Sequence, residues 1–181
     1  MIVTETVTYL EITNPTQQNL VDLSAYRATE KPIQIIQIKK PSPQLNRYFY
    51  VAVGREWYWV DRLPWTIEDW QKFLAQPGHE TWMGLVEGTP IGYFEIHRSK
   101  PTEIEIVSFG LLPEFVGQGY GPLLLRSAIQ RACELQPTRL WLHTSSLDHP
   151  KALANYVNNG FRITHRESFQ KELPDQPPPV W

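Results

Sequence analysis

The chain has 181 residues, 41% hydrophobic and 20% charged, with a formal net charge of −2. That is enough chain to bury one good core, and the balance is that of an ordinary globular protein. The weakly acidic charge, with no basic run beyond Lys39-Lys40, argues against nucleic acid as a partner. A single cysteine, Cys133, excludes an internal disulfide, and no leader peptide or apolar run of membrane length stands out, so a reducing cytoplasm is the expected location.

In chain order, Thr6–Thr13 alternates like a strand and Ile33–Lys39 like a second, joined by a polar connection, before Pro41 and Pro43 interrupt pairing. Pro43–Val53 reads as a helix closed by Gly54, and Thr66-Ile-Glu-Asp69 as the capped start of another reaching Ala75. Between them lies an aromatic run, Trp57-Tyr58-Trp59-Val60-Asp61-Arg62-Leu63-Pro64-Trp65. Glu80–Val86, the turn Glu87-Gly88-Thr89 and Pro90–His97 form a hairpin pattern, followed by a long strand over Glu103–Leu112. Pro122 suits the first turn of a helix running to Leu135, with Cys133 on its apolar side, and Arg139–Thr144 is the next strand. Asp148 is the expected cap of the helix carrying Tyr156, Gly160 its end, and Phe161–Ser168 a returning strand. Residues 1–173 are expected to form one domain, with 174–181 a proline-rich tail, and no internal repeat is present.

The segment Phe109–Leu123 carries Gly117, Gly119 and Gly121 where an apolar strand ends and an apolar helix begins. Glycine lets the backbone turn with its amides inward, and these join the unpaired N–H groups at the positive end of the next helix. The result is a phosphate cradle that needs no lysine. Glycines also serve plain strand-to-helix turns, so the context decides. A dinucleotide fold would want an acidic residue ending the following strand, but Arg139–Thr144 runs into Ser145-Ser146. A P-loop would want Gly-Lys-Ser/Thr, which is absent.

From Glu103 to about Arg166 the sequence resembles the GNAT N-acetyltransferase superfamily. Val116-Gly117-Gln118-Gly119-Tyr120-Gly121 matches its Gln/Arg-x-x-Gly-x-Gly/Ala loop at both glycines, with Val116 where Gln or Arg is usual. His149-Pro-Lys-Ala152 through Tyr156 to Gly160-Phe161 matches its Asn-x-x-Ala-x-x-x-Tyr-x-x-x-Gly-Phe helix, with His149 replacing Asn. The resemblance implies an α/β (α+β) fold: a mixed, mostly antiparallel central sheet flanked by helices on both faces, with a splayed parallel strand pair that admits acetyl-CoA. It implies transfer of an acetyl group from acetyl-CoA to an amine of a small molecule or peptide, by direct attack in a ternary complex. It places Leu111, Leu112, Gly117, Gln118, Gly119, Tyr120, Gly121, Pro122, His149 and Asn155 around the coenzyme, with a backbone N–H of Leu111 or Leu112 polarising the acetyl carbonyl. Tyr156 falls at the general-acid position, donating a proton to the departing CoA thiolate.

An amine with a pKa near ~10 is mostly ammonium at pH 7, so the reaction needs a base. Glu105 is in register with the catalytic glutamate of histone-acetylating members. Alternation puts Glu103, Glu105, Val107 and Phe109 on one face and turns Ile104 and Ile106 to the core. Glu95 and His97 are the competing bases, and a cross-strand ion pair is the alternative use of Glu105. Trp57, Trp59 and Glu95 are candidate acceptor contacts, although the aromatic run equally suits packing, and Asp61 pairs either a cationic amine or Arg62. An acyl-CoA-binding sensor or interaction module without turnover is the competing function, and a purely structural domain a third. No metal, nucleic acid or membrane is expected, and a second copy of the chain is the macromolecular partner left open.

Overall fold

The computed structural model describes residues 1–16 and 32–176, so the expected polar connection after Thr13 and the end of the tail lie outside the described residues. Among the described residues the order is β1 (Ile2–Thr13), β2 (Gln34–Gln37), α1 (Pro43–Gly54), α2 (Ile67–Leu74), β3 (His79–Val86), β4 (Thr89–Lys100), β5 (Glu103–Leu111), α3 (Tyr120–Glu134), β6 (Arg139–Ser145), α4 (Ala152–Asn158) and β7 (Arg162–Glu172). Local chemistry sets several of these ends. Ser42 accepts from the Leu45 amide ahead of Pro43 at the start of α1, and Thr66 and Asp69 form a reciprocal capping box on α2. Glu87 and Gly88 both take positive φ, 50° and 83°, the two-residue turn that matches strand twist in a hairpin. Gly54 does not close α1 in a left-handed cap, since its φ is −88°. A Cβ there would lie 2.3 Å from the Trp59 side chain, so the glycine serves close packing instead.

The strands form one sheet in the order β2-β3-β4-β5-β6-β1-β7, with β5 and β6 parallel and the other neighbours antiparallel. On one face α3 and α4 bury Leu124, Leu125, Ala128 and Tyr156 against Phe94, Ile96, Ile104, Ile106, Leu140 and Leu142, and Cys133 joins this core. On the other face α1 packs Phe49 on Tyr93, ring centroids 4.9 Å apart. The expected mixed sheet with helices on both faces is the observed one. The N-terminal strand lies between β6 and β7, a non-local pairing that no pattern within β1 announces.

Two irregularities shape the centre. β5 and β6 pair only over Glu103–Glu105 with Arg139–Trp141, and beyond that point they part. On the other edge of β5, Glu95 pairs Ser108 but Ile96 pairs Ile106, which leaves Val107 as a bulge. The extra residue reverses the alternation beyond it. Glu105 keeps the face of His97, while Phe109 turns to the face of Ile104 and Ile106 and meets Tyr156 at 6.0 Å. The expectation that Glu105 and Phe109 share a face is therefore corrected by one inserted residue.

Glu95, expected at the acceptor or as a base, is 0% exposed. It accepts hydrogen bonds from Asn46 Nδ2 at 2.7 Å and Arg62 Nη1 at 2.9 Å, with His79 Nε2 3.9 Å away. Arg62 lies over the rings of Tyr50, Trp65, Trp70 and Phe73 at 5.4, 5.0, 5.7 and 4.2 Å, so the cation is enclosed by rings of α1 and α2 together with Trp65 of the aromatic run. Removing one partner of a buried pair strands the other charge. Glu95→Ala should therefore cost about 3 kcal/mol or more of unfolding free energy in urea, and a loss below about 1 kcal/mol would contradict this account.

Candidate active site

The parting of β5 and β6 opens two clefts that meet. The first, about 430 Å³, is bordered by Leu111 of β5, the loop residues Gly117 and Gly119, Gly121 and Pro122 of α3, and His149, Lys151 and Asn155 near α4. Gly117 and Gly119 have φ of +83° and +87°, conformations that favour glycine, and Gly119 is the N-cap of α3. A Cβ on Gly117 would meet nothing within 4 Å, because that residue borders open space. The first turn of α3 carries no acidic side chain, so its free N–H groups and positive dipole end face the cleft uncompensated. These are the features an anionic phosphate requires.

The expected coenzyme contacts are narrowed to backbone groups at three positions. The Leu112 amide donates to the Ile91 carbonyl at 2.8 Å and is not free to polarise another carbonyl. Because successive strand amides point to opposite edges, that bond sends the Leu111 amide to the open edge, which leaves Leu111 as the donor of the two. The Gln118 side chain turns away to donate to the Glu114 carbonyl at 2.6 Å. The Tyr120 ring is buried with Val86 and Ile91, so this residue can offer the cleft only its backbone.

The second cleft, about 390 Å³, has its floor on β5, β6 and β1, including Val107, Ser108, His143 and Tyr9, and its wall on the aromatic loop between α1 and α2. Trp57, Trp59, Phe109, Asp148 and Tyr156 border both clefts. Trp57 meets His149 edge-on at 5.0 Å across the first cleft. Trp59 donates from Nε1 to Asp148 Oδ1 at 3.1 Å, while Asp148 Oδ2 accepts from Thr144 Oγ1 and the Ser145 amide at 2.6 and 2.8 Å. Asp148 thus ties the aromatic loop to the end of β6 and does not cap α4, whose N-cap is Lys151 with no side-chain cap bond. Asp61 does not pair with Arg62: it borders the second cleft and holds Lys171 of β7 at 3.3 Å, with Glu5 on the other side of that ammonium at 3.2 Å.

Tyr156 is 7% exposed at the junction, and burial, reinforced by the Asp148 carboxylate, pushes its phenol well above the ordinary value. It stays protonated at neutral pH and can donate. Glu105 faces the second cleft's side of the sheet with its side chain 18% exposed, 3.7 Å from His143. Burial raises its carboxyl from 4.5 to about 7, against the opposing pull of the Arg62 charge. Of its competitors, Glu95 is sealed in the Arg62 pair, and His97 shares Glu105's face by register; neither Glu105 nor His97 borders a cleft, but Glu105 lies 3.7 Å from His143, which does. His143 and Asp148 are site residues that sequence reasoning missed. The alternation of β6 groups Trp141, His143 and Ser145 on one face, but only the pairing with β5 and β1 says which face is open.

Residues 45–161, well over half the chain, match the model of the Acetyltransferase (GNAT) family. The chain belongs to that family. It is 23% identical over 99 residues to an N-acetyltransferase of Mycobacterium bovis described as uncharacterized, spanning 55% of this chain and 63% of that protein. Among solved structures, a GCN5-related N-acetyltransferase from Sphaerobacter thermophilus superposes with a TM-score of 0.67 at 16% identity, over 98% of this chain and 54% of that one. A GNAT family acetyltransferase from Elizabethkingia anophelis, with acetyl-CoA bound, superposes at 0.56 and 21% identity, over 76% and 80%.

The Glu105 carboxyl makes a stability prediction. Its folded value of about 7 lies above the ordinary 4.5, so between these the folded state binds more protons than the unfolded one. Stability contributed by this group is complete below about 4.5 and lost as pH rises through about 7, a change of about 3 kcal/mol. Glu105→Gln should escape that loss, matching the wild type near pH 4.5 and exceeding it in urea unfolding above pH 8. A difference that does not vary with pH would contradict it.

Proposed function

We propose that this chain is an acetyl-CoA-dependent N-acetyltransferase that moves an acetyl group to an amine of a small molecule or peptide by direct attack in a ternary complex. The observation that carries the reading is the meeting of the two clefts at Tyr156, Phe109, Asp148, Trp57 and Trp59. One cleft offers backbone N–H groups suited to phosphate, and the other has His143 at its border with Glu105 3.7 Å behind it, so a donor and an acceptor can enter from different sides and touch at one point.

Acetyl-CoA, when bound, supplies the activated acetyl thioester. The residues that would hold it are Gly117, Gly119 and Gly121 through backbone N–H groups at the start of α3, with Pro122, His149 and Asn155 beside them. The absence of side chains on the glycine loop fits a pyrophosphate, because nothing of the protein fills the space a Cβ would enter at Gly117. The Leu111 amide, on the unpaired edge of β5, is placed to polarise a carbonyl. Glu105 is the base on which the amine's proton ends: a carboxyl near 7 is ionised often enough to accept and basic enough to be useful. Tyr156, held neutral, gives its proton to the leaving thiolate. Trp57 and Trp59 wall the point of contact and exclude water.

Thiol release from acetyl-CoA, measured with spermidine, tryptamine and a lysine-bearing peptide as acceptors, tests the activity. Binding without release against any amine would make this an acyl-CoA-binding module instead. Gly119→Val should weaken acetyl-CoA binding sharply in calorimetry while the protein stays folded, since a β-branched residue is strained at φ +87° and its side chain enters the phosphate's approach. Tyr156→Phe should lower kcat by about 10²-fold with KM for acetyl-CoA nearly unchanged. Full turnover in that variant would return Tyr156 to a packing role. In wild type kcat/KM should rise with pH through about 7, and Glu105→Gln should remove that limb; an unaltered profile would leave Glu105 without its role.

A further inference from the structure

On the face of the sheet away from α3 and α4, strand register sets two adjacent rows of side chains across three strands. Glu105 of β5 pairs alongside Trp141 of β6, and Tyr9 of β1 lies directly opposite His143 of β6. His143 therefore stands between Glu105 and Tyr9, with Nδ1 3.7 Å from Glu105 Oε1 and its ring 5.7 Å from that of Tyr9. The two groups differ in access. His143 borders the second cleft and its side chain is 46% exposed, whereas Glu105 is not among the residues bordering that cleft and is 18% exposed. With Nδ1 turned to the carboxylate, Nε2 lies on the far side of the ring.

We propose that His143 is the catalytic group that touches the acceptor amine and passes its proton to Glu105. This rests on the acetyl-transfer reading, with Glu105 as the proton's final holder. The ammonium N–H bond breaks, its electron pair stays on nitrogen, and the proton bonds to His143 Nε2. At the same time the Nδ1–H bond breaks and that proton bonds to Glu105 Oε1. The imidazole ends neutral as its other tautomer, the carboxylate ends as a carboxylic acid, and the amine ends neutral and nucleophilic. No other reactant is needed.

The surroundings agree with a neutral imidazole at work. Burial holds His143 below its usual value, while Asp148 at the end of β6, Glu5 on β1 and Asp61 in the α1–α2 loop pull the other way. Arg62 is the cation acting on Glu105, and Tyr9 stands on the other side of His143. Beyond Tyr9 come His165, stacked on it at 4.3 Å, and Glu167, 3.8 Å from His165. An imidazole and a carboxyl at this separation should share one proton and titrate as a pair.

Nitrogen-detected NMR titration of His143 in the free protein needs no acceptor. In wild type the His143 ring should respond to two coupled steps, and in Glu105→Gln to one, moved by about half a pH unit or more. An identical His143 titration in both proteins overturns the proposal. With the same three amines as probes, His143→Gln should lower kcat/KM at pH 7 by about 30-fold or more and recover towards pH 9.5, where more of the amine arrives neutral. Acetyl-CoA binding should be unchanged, and the double variant should fall no more than about threefold below the worse single one, as for groups acting as a unit. Near-full activity in His143→Gln beside a crippled Glu105→Gln overturns the relay and leaves Glu105 as base. Full activity in Glu105→Gln overturns the base reading itself.

Discussion

The divergence of β5 from β6 after Glu105 and Trp141 is the constraint on which the rest depends. Parallel strands that stayed paired would bury their edges in each other. Once they part, the amide of Leu111 is left facing a gap, and at that gap two ligands on opposite sides could meet. The bulge at Val107 and the insertion of β1 beside β6 both serve this opening. The bulge turns Phe109 beneath Tyr156 while leaving Glu105 on the other face, so the phenol and the carboxyl end up on opposite sides of one strand. β1, pairing β6 from Val7 to Thr13, occupies the far edge of β6 and gives the second cleft its floor.

The aromatic loop answers a different requirement. A wall must stand over the junction without a helix to hold it, and the buried Arg62–Glu95 pair provides the anchor. Such a pair gains little over a well-packed apolar one, but it is intolerant of losing either half, and so it fixes the loop's position. Asp148 fixes the other end by receiving Trp59 Nε1 and two donors at the end of β6. Lys171 adds a third tie, from β7 to Asp61. The ammonium of Lys171 between Glu5 and Asp61 also indicates the electrostatic character of the second cleft, which already accommodates a cation.

What could be read in the sequence follows from how far apart the responsible residues lie. The glycine loop is local: each glycine's φ is a property of its own position, and the loop is where the spacing puts it. The Thr66–Asp69 cap and the Glu87–Gly88 turn are local too. The face of Phe109 is not, because a bulge exists only relative to the partner strand, and period-two reading of β5 alone cannot count the residue that β4 skips. The same holds for Glu95. Its strand is legible, but its sealing by Asn46 and Arg62 joins residues 33 and 49 positions away. His143 escapes notice because the open face of β6 is decided by β1, which arrives from the other end of the chain.

The two clefts are electrostatically unlike. The first relies on backbone N–H groups and a helix end, with Lys151 at its border, which suits an anion. The second gathers Glu5, Asp61 and Asp148 near a carboxyl at Glu105 whose burial keeps it near neutrality. An ammonium there would be attracted by the fixed carboxylates, and its proton would move more readily to a carboxyl of raised affinity than to an ordinary one. Full exposure would leave Glu105 too weak a base, and complete pairing, as for Glu95, would leave it unable to accept at all. The half-sheltered position beside His143 lies between these limits, and that position exists because the strand carrying Glu105 loses its neighbour one residue later.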